Sequence, residues 1–372
     1  MNATLAIQRT IPLLVPYVPE EAIAAVTATL RTRWIGQGPQ VDRFERQFSK
    51  QIVAGRPCVA VGSCTDALHL AYLLAGISPG DEVIAPIFTC TATNIPLLYC
   101  GARIRFCDVA PGSLNMDPAH ARSLLNERTK AIVVVHYGGA PVSPELFGLK
   151  FVPVIEDAAQ ALGASGIGRG DFMCFSFQAV KHVTTGDGGM LVLPPALEAK
   201  AKRMRWFGID REAKLAGTWE NDIREVGYKY QMTDISAAMG LSGLRSLNWQ
   251  LIRRRALRDA YAAGLVGLDG IRLLDTDPNS ACWLCTVLVD RREDFRAKLS
   301  AEGIESDQVH YRNDRYSIFG RFTGPDGCWP KCREVRFPNM DAIEGKYLVL
   351  PLHMGMDESD VERICAVIRS GW

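Results

Sequence analysis

Short apolar segments alternate with helical segments through the first half of the chain, and this alternation limits the fold more than any other feature. Examples are the segments CVAV at 58–61, EVIAP at 82–86, AIVVV at 131–135 and MLVLP at 190–194. Strands that lack an alternating polar face are buried on both sides, and strands joined through helices run parallel. The sequence therefore predicts an α/β fold with a mainly parallel sheet covered by helices on both faces.

The pattern changes in the last third of the chain. Residues 233–265 predict two helices, the second long and amphipathic, and beyond them lie the strand segments WLCTVLVD at 283–290 and YLVLP at 347–351. With 372 residues the chain is too long for one ordinary core. We therefore expect a large domain at 1–245 and a smaller α+β C-terminal domain at 246–372.

Charge and cysteine content exclude several classes of protein. Lys plus Arg number 42 and Asp plus Glu number 41, which gives a net charge of +1 and no electrostatic reason to expect nucleic acid or a membrane surface as a partner. The 11 cysteines are odd in number and scattered, unlike a disulfide framework. The first residues lack the pattern of a signal peptide, and no apolar run has the length of a membrane span. The expected location is the cytoplasm.

A lysine lies in an unusual setting within Cys174–Gly189, CFSFQAVKHVTTGDGG. The segment predicts a strand, a turn that holds Lys181, and a second apolar strand. Lysine is rarely buried unless it is paired or chemically used, and a desolvated lysine has a lowered pKa that leaves a free amine able to form a Schiff base. Lys181 is thus a candidate for covalent attachment of a cofactor. The alternative is an ordinary surface lysine in a glycine turn.

A carboxylate follows another buried strand. Asp157 ends the segment VPVIED, and a buried carboxylate needs a cationic or hydrogen-bonding partner. Glu156 should point the opposite way by strand alternation, so it is the weaker candidate. In the alternative interpretation, Asp157 is the N-cap of a helix that starts at Ala158.

A candidate anion site lies between CVAV and the helical segment ALHLAYLLAG. The turn between them is Gly62–Asp66, GSCTD. A helix N-terminus presents free N–H groups and a dipole that favours an anion. We expect a phosphate site that uses the amides of Thr65 and Asp66 and the hydroxyl of Thr65. The alternative is that Ser63 or Thr65 only caps the helix.

These three parts together are what a pyridoxal phosphate enzyme needs. The lysine forms the Schiff base, the acid keeps the pyridine nitrogen protonated, and the helix N-terminus holds the phosphate. Their residues lie at the ends of separate strands, which share one edge in a parallel sheet. The sequence therefore predicts pyridoxal 5'-phosphate as the cofactor and no metal.

The chain resembles the DegT/StrS-type (DegT/DnrJ/EryC/StrS) sugar aminotransferases almost from end to end. The matching segments include IGQGPQVDRFE, SCTDALHLA, EDAAQALGA, FSFQAVKHVTTGDGG, GYKYQMTDISAAMG and LPLHMGM. The resemblance implies the aspartate aminotransferase fold, also called fold type I, and a homodimer with shared active sites. It implies Lys181 as the Schiff-base lysine, Asp157 as the partner of the pyridine nitrogen, Gln160 near the ring, and Thr65 with Ser176 on the phosphate. The full set of candidate cofactor-binding residues is Ser63, Cys64, Thr65, Asp66, Phe88, Cys90, Asp157, Gln160, Ser176, Gln178, Lys181 and Lys229.

Three positions depart from the family pattern. Cys90 stands where an aromatic residue usually stacks on the pyridine, so stacking is either lost or supplied by Phe88. Lys229 stands where an asparagine from the neighbouring subunit usually reaches the phosphate, and a lysine suits a phosphate as a point charge. Asp187 replaces a glutamate of the glycine turn. Lys181 is not replaced by histidine, as it is in the related sugar dehydratases, and this favours transamination.

The predicted activity is conversion of a nucleotide-linked keto sugar to an amino sugar by a ping-pong mechanism, with glutamate as the amino donor by resemblance. Arg312 or Arg315 is a candidate for contact with the substrate pyrophosphate. One alternative is an elimination or dehydratase reaction on a nucleotide sugar with the same cofactor. The other is a non-catalytic cofactor-binding regulator, which the lack of a DNA-binding module or basic patch disfavours.

Cysteines and histidines suggest two further sites. The pair Cys282 and Cys285 could bind a metal with Cys328 and Cys332, but residues three apart in a strand face opposite sides. Histidines in proteins are more often core or surface groups than ligands. His182 is expected to face away from its neighbour Lys181, and three histidines at strand ends or in loops are weaker candidates for substrate contact: His136, His310 and His353.

Overall fold

The structure is a computed structural model that describes residues 9–149, 152–220, 222–274, 276–320 and 337–372. Its strands are β1 (Cys58–Val61), β2 (Glu82–Pro86), β3 (Phe88–Thr89), β4 (Arg103–Cys107), β5 (Thr129–Val135), β6 (Val154–Asp157), β7 (Phe172–Ser176), β8 (Gly189–Val192), β9 (Ile271–Leu273), β10 (Cys285–Val289), β11 (Tyr311–Arg312) and β12 (Tyr347–Leu350). Its helices are α1 (Glu20–Leu30), α2 (Pro39–Ile52), α3 (Cys64–Leu74), α4 (Thr91–Tyr99), α5 (Pro118–Leu124), α6 (Glu198–Met204), α7 (Arg211–Leu215), α8 (Asp234–Leu265), α9 (Arg292–Ala301), α10 (Ser317–Gly320), α11 (Pro338–Ile343) and α12 (Glu358–Arg369).

The central sheet has seven strands in the order β1-β8-β7-β6-β5-β2-β4. All neighbouring pairs are parallel except those of β8, which runs antiparallel to both β1 and β7. The strands β1, β5, β6 and β7 therefore end at the same edge of the sheet. This confirms the predicted α/β class and the mainly parallel sheet.

Both faces of the sheet are buried, which is why its strands lack an alternating polar face. Val83 and Ala85 of β2 pack into one cluster, whereas Ile84 between them packs into another on the opposite face. The same alternation separates Val59 from Ala60 in β1. Helices cover each face, so the side chains on either side of a strand need to be apolar.

Helix boundaries follow local signals in the sequence. Pro39 starts α2 at a position where its missing N–H costs nothing, and Asp117 caps α5 by accepting a 2.9 Å hydrogen bond from the Ala119 N–H. Asp357 and Asp360 form a reciprocal capping box at the start of α12. These signals explain why most helices lie where the sequence predicts them.

The prediction of two helices at 233–265 is wrong. This stretch forms the single 32-residue helix α8, which Thr233 caps by accepting from the Ser236 N–H. A Cβ added at Gly240 would lie 2.6 Å from the Phe44 ring, and one added at Gly243 would lie 2.7 Å from Val183. These two glycines thus let α8 approach its neighbours. The helix runs through the division expected at 245, which stays a prediction.

The C-terminal part forms an antiparallel sheet in the order β12-β10-β9. A separate two-stranded sheet, in which β11 pairs antiparallel with β3, links the C-terminal part to the segment that follows β2; the sequence analysis did not predict this pairing. Among the described residues, no helix is both long enough and apolar enough to cross a membrane.

Candidate active site

Lys181 lies in the turn that follows β7, with its N–H bonded to the Gln178 carbonyl at 2.9 Å. The residue keeps some exposed surface, but its Nζ lies 3.4 Å from the centroid of the Trp283 ring. Burial lowers the pKa of Lys181 to about 8, with the charge of Asp157 acting in the opposite direction. The amine is therefore held inside the protein and is more easily deprotonated than a surface lysine.

Asp157 ends β6 and is only 5% exposed. Its Oδ2 accepts a 2.7 Å hydrogen bond from the Thr93 hydroxyl, and its Oδ1 accepts a 3.0 Å bond from the Ala159 N–H. Burial raises the pKa of Asp157, and the Thr93 bond is the largest opposing influence. The Ala159 contact resembles a cap, but the following residues form a turn and not the helix of the alternative interpretation.

The turn before α3 combines both interpretations made from the sequence. Ser63 caps the helix, since its Oγ accepts from the Asp66 N–H at 3.1 Å. The Asp66 amide is therefore occupied, and within the described residues the N–H groups of Cys64 and Thr65 have no hydrogen-bond acceptor. Burial raises the pKa of the Asp66 carboxyl to about 6. A phosphate at this helix end would meet two free amides.

Strand β8 holds this turn next to Ser176. Gly189 pairs with Val61 on one side and with Ser176 on the other. A Cβ at Gly189 would lie 2.4 Å from the Ser63 carbonyl oxygen and 2.7 Å from the Cys64 nitrogen. Only glycine permits this approach, which brings the Ser176 hydroxyl to the same end of the sheet as the helix N-terminus.

The structure separates the two candidates for ring stacking. Phe88 is buried in the core, edge-on to the rings of Tyr137 and Tyr347, both at 4.9 Å. Cys90 is partly exposed at the start of α4, close enough to Lys181 to influence its pKa. Of the two candidates, Cys90 is therefore the one within electrostatic reach of the amine.

Gln160 and Gln178 both stabilise turns around the site. The Oε1 of the buried Gln160 accepts a 2.7 Å hydrogen bond from the Gly138 N–H. Gln178 is exposed, and its Oε1 accepts a 3.2 Å bond from the Val180 N–H. The contact of Gln178 thus shapes the turn that holds Lys181.

Comparison with known proteins places this site in a family. The model of the DegT/DnrJ/EryC1/StrS aminotransferase family matches residues 16–369. The chain belongs to that family. It is 31% identical to the spore coat polysaccharide biosynthesis protein SpsC of Bacillus subtilis, with 96% of each chain covered. It is 32% identical to the UDP-4-amino-4-deoxy-L-arabinose--oxoglutarate aminotransferase of Shewanella sediminis, with 96% of this chain and 97% of that protein covered.

Solved structures of this aminotransferase family agree with the fold. AtS13 from Actinomadura melliaura is 35% identical, with a TM-score of 0.89 over 98% of this chain and 100% of that chain. The sugar aminotransferase CalS13 from Micromonospora echinospora is 32% identical, with a TM-score of 0.88 over 97% and 100%. Spr1654 from Streptococcus pneumoniae has been solved in a PLP form and a PMP form. The predictions of fold type I, a sugar aminotransferase and pyridoxal phosphate as cofactor are confirmed.

Lys229 of this family member lies on the outside of the subunit. It is exposed, forms a backbone bridge with Trp206, and its Nζ lies 5.7 Å from the Phe207 ring. Its contact with the cofactor of a neighbouring subunit stays a prediction.

Three histidines serve the structure of the protein. His136 is fully buried; its Nδ1 accepts from the Val142 N–H at 3.1 Å, so its Nε2 donates to Glu156 at 2.8 Å. Burial alone would raise the pKa of Glu156, but this contact and two backbone N–H groups hold it below its usual range. His182 donates to the Ala281 carbonyl, and His353 contacts the backbone of residues 12 and 355.

His310 is the histidine that adjoins the site. It packs near the rings of Tyr137 and Trp283, and burial lowers its pKa to about 3, with the charge of Lys181 adding to the effect. Neither the Nδ1 of His310 nor the hydroxyl of Tyr137 has a hydrogen-bond partner among the described residues. A polar ligand bound near the lysine could supply the hydrogen bonds that these two buried groups lack.

Sequence reasoning missed Thr93 and Trp283. The signal for Thr93 was its spacing of four residues from Thr89, which places the two hydroxyls 2.8 Å apart. Trp283 lies within CWLC, which was considered only as a metal motif.

The metal-site prediction placed both Cys282 and Cys285 in a strand, and this is wrong. Cys282 precedes β10 and adopts a left-handed conformation with φ 51°. Cys328 and Cys332 lie outside the described residues.

The described side chains fit pyridoxal phosphate. An amine with a lowered pKa, a buried carboxylate and a glycine-lined helix N-terminus meet at one edge of the sheet. These groups match an aldehyde, a pyridine nitrogen and a phosphate respectively.

Proposed function

We propose that the protein transfers an amino group from glutamate to a nucleotide-linked keto sugar, using pyridoxal phosphate held by Lys181. The observation that carries this proposal is the amine of Lys181, which lies against Trp283 and within electrostatic reach of the buried carboxylate of Asp157. A lysine in that setting suits covalent cofactor chemistry. The family supports the reaction class.

The bound cofactor would supply an electron sink for the electrons of a broken C–H bond. Asp157 would hold the proton on the pyridine nitrogen, which keeps the sink effective. The amides of Cys64 and Thr65 and the hydroxyl of Ser176 would bind the phosphate. Lys181 would hold the aldehyde carbon covalently, so each function has its own residue at the sheet edge.

Lys181 has a second role once the amino donor displaces it. Its freed amine would move a proton between the α-carbon of the donor and the C4′ carbon of the cofactor. A general base works best with a pKa near the working pH, and the pKa of Lys181 is lowered to about 8. Lys181 would serve the amination of the keto sugar by moving the proton in the reverse direction, and such a two-stage transfer predicts ping-pong kinetics.

Relatives support a nucleotide sugar as the acceptor. One is named as an aminotransferase for UDP-4-amino-4-deoxy-L-arabinose and another as a spore coat polysaccharide biosynthesis protein. We place this chain in the biosynthesis of a polysaccharide or an antibiotic sugar. Of the two arginines considered for the substrate pyrophosphate, Arg312 pairs with Asp314, Asp341 and Glu344, so we favour the exposed Arg315.

A homodimer would cover an exposed apolar surface around Lys229. Large apolar side chains are exposed before α7, at its last residue, and between it and Lys229: Phe207, Leu215, Trp219, Ile223 and Val226. Large apolar side chains exposed together mark interaction sites when they form one patch, and five of them within twenty residues of chain suggest such a surface. We propose that this segment docks on a second copy and brings Lys229 to the phosphate of its cofactor.

A location in the cytoplasm, and domains at 1–245 and 246–372, remain proposals from the sequence.

One set of assays tests the function. Purified protein loaded with pyridoxal phosphate should release 2-oxoglutarate from glutamate and then aminate a keto nucleotide sugar, with the product identified by mass spectrometry. Lys181→Ala should lose the visible absorbance of the lysine-bound cofactor and both half-reactions. A product that has lost water, without release of 2-oxoglutarate, would support the elimination reaction. A wild-type protein with neither reaction would support a regulator.

A further inference from the structure

Trp283 contacts the candidate lysine at two points. Its ring centroid lies 3.4 Å from Nζ of Lys181, and its Nε1 donates a 3.0 Å hydrogen bond to the carbonyl of Val180, the preceding residue. The side chain is buried. One indole therefore fixes both the end of the lysine side chain and the peptide from which it extends.

The backbone of Trp283 is itself locked onto the turn after β5. The Trp283 and Leu284 N–H groups both donate to the Gly138 carbonyl, at 2.8 and 3.1 Å. A Cβ at Gly139 would lie 2.9 Å from the Cys282 nitrogen and 3.1 Å from the Trp283 nitrogen. The approach of these two chain segments leaves no room for a side chain at Gly139, so the backbone that carries the indole cannot shift without moving the turn.

The residue before Trp283 carries backbone strain. Cys282 adopts a left-handed conformation with φ 51°, which costs a non-glycine residue free energy. The buried guanidinium of Arg254 lies 3.4 Å from the Cys282 carbonyl and 3.5 Å from the Trp283 carbonyl. Strained backbone persists where the surroundings hold it in place, and here it directs the indole toward Lys181.

We propose that Trp283 is a positioning residue for Lys181, holding the amine where the aldehyde of pyridoxal phosphate meets it. This inference rests on the proposed role of Lys181. A lysine has four rotatable side-chain bonds, and an aromatic face beneath the ammonium restricts them by a cation–π contact. The indole N–H adds a second restraint through the Val180 carbonyl. Small misplacements of a reacting group slow its reaction strongly.

Two variants separate the contacts of Trp283. Trp283→Phe keeps an aromatic ring but loses the N–H, whereas Trp283→Leu loses both. Trp249→Phe is the matched control, because Trp249 is half exposed on α8 and packs at a tilt against the ring of Tyr17. Melting temperatures are measured first, and Trp283→Phe carries the test if Trp283→Leu does not fold.

The test measures two properties of pyridoxal phosphate binding. Borohydride trapping and mass spectrometry of the Lys181 peptide give the rate of bond formation, and equilibrium dialysis gives the affinity. We expect the rate of bond formation to fall about tenfold or more in Trp283→Leu and about two- to fivefold in Trp283→Phe. The affinity of both variants for pyridoxal phosphate, measured without borohydride, should change less than about threefold. A purely structural role would weaken the affinity as much as the rate.

Fluorescence gives an independent readout. Bound cofactor should quench Trp283 more than the other tryptophans, so Trp283→Phe should remove the largest share of the quenching and Trp249→Phe little of it. Wild-type rates in a folded Trp283→Leu would overturn this inference alone. A wild-type protein whose Lys181 never bonds the cofactor would overturn the proposed function and this inference with it.

Discussion

The hydroxyl of Thr93 donates a 2.7 Å hydrogen bond to Oδ2 of Asp157. An ionised carboxylate only accepts, so the Thr93 proton points toward it, and Thr89, 2.8 Å away, must donate to Thr93. The Thr89 backbone carbonyl in turn accepts from Asn313, in the turn after β11. The charge of the buried carboxylate therefore depends on a chain of contacts that reaches the C-terminal part of the protein.

Thr93→Val should destabilise the cofactor-free protein most at high pH. Burial raises the pKa of Asp157, so the folded state holds a proton that the unfolded state releases, and stability falls as pH rises through the folded pKa. Loss of the Thr93 bond raises that pKa further and extends the fall to higher pH. We expect about 1.5–3 kcal/mol lost at pH 7–8 and little below the unfolded pKa of about 4.

Urea unfolding between pH 4.5 and 8.5 measures this difference. Thr29→Val is the matched control, since Thr29 is a buried threonine whose hydroxyl bonds only backbone, at Ala25. Its effect should not vary with pH. A loss of unfolding free energy in Thr93→Val that stayed constant with pH would contradict the prediction.

The amine of Lys181 should react with a midpoint near pH 8. In the cofactor-free protein, burial lowers the pKa of Lys181 from 10.5 to about 8, and the charge of Asp157 limits this shift. Asp157→Asn removes that charge and should lower the midpoint further. Reductive methylation as a function of pH, followed by mass spectrometry of the Lys181 peptide, measures both midpoints; a wild-type midpoint near 10.5 would show a solvated amine.

Gly189→Ala should weaken the binding of pyridoxal phosphate by about tenfold or more and destabilise the fold by about 1–3 kcal/mol. The added methyl would lie 2.4 Å from the Ser63 carbonyl oxygen, which forces β8 away from the proposed phosphate turn. Gly345→Ala is the control, because its methyl would have no neighbour within 4 Å. Equilibrium dialysis and urea unfolding separate the two effects. If both variants bound pyridoxal phosphate equally well, the turn before α3 would not be part of the phosphate site.

Val226→Asp should dissociate the proposed dimer. Val226 is 75% exposed in the apolar segment near Lys229, and a buried charge there would cost several kcal/mol on association. Val266→Asp is a close match, with 77% exposure just after α8, and should leave the dimer intact. Sedimentation velocity measures the oligomeric state. A monomeric wild-type protein, or equal behaviour of the two variants, would refute this interface.

Local sequence was sufficient for the residues whose environment is set by their own strand or helix. Asp157 ends a buried strand, Lys181 lies in the turn after another, and the GSCTD turn starts a helix, so their common sheet edge could be predicted from the order of strands and helices. The burial of Lys181 could not, because an exposed lysine in a glycine turn fitted the same pattern. Chain-local signals also set most helix starts, through caps such as Asp117. The single helix α8 stands where a pair of helices was predicted, and its Gly240 and Gly243 allow close packing with side chains distant in the chain.

The sequence by itself determined the mainly parallel α/β fold and offered the lysine, the acid and the helix N-terminus as site candidates, because strand burial and helix ends depend on nearby residues. Only the tertiary structure decided what surrounds them. Thr93 meets Asp157, Gly189 fits beneath the Ser63 turn, and Trp283 lies against Lys181 across about a hundred residues of chain. Such contacts depend on how separate elements pack, and a local pattern of hydrophobicity does not indicate which distant residues meet.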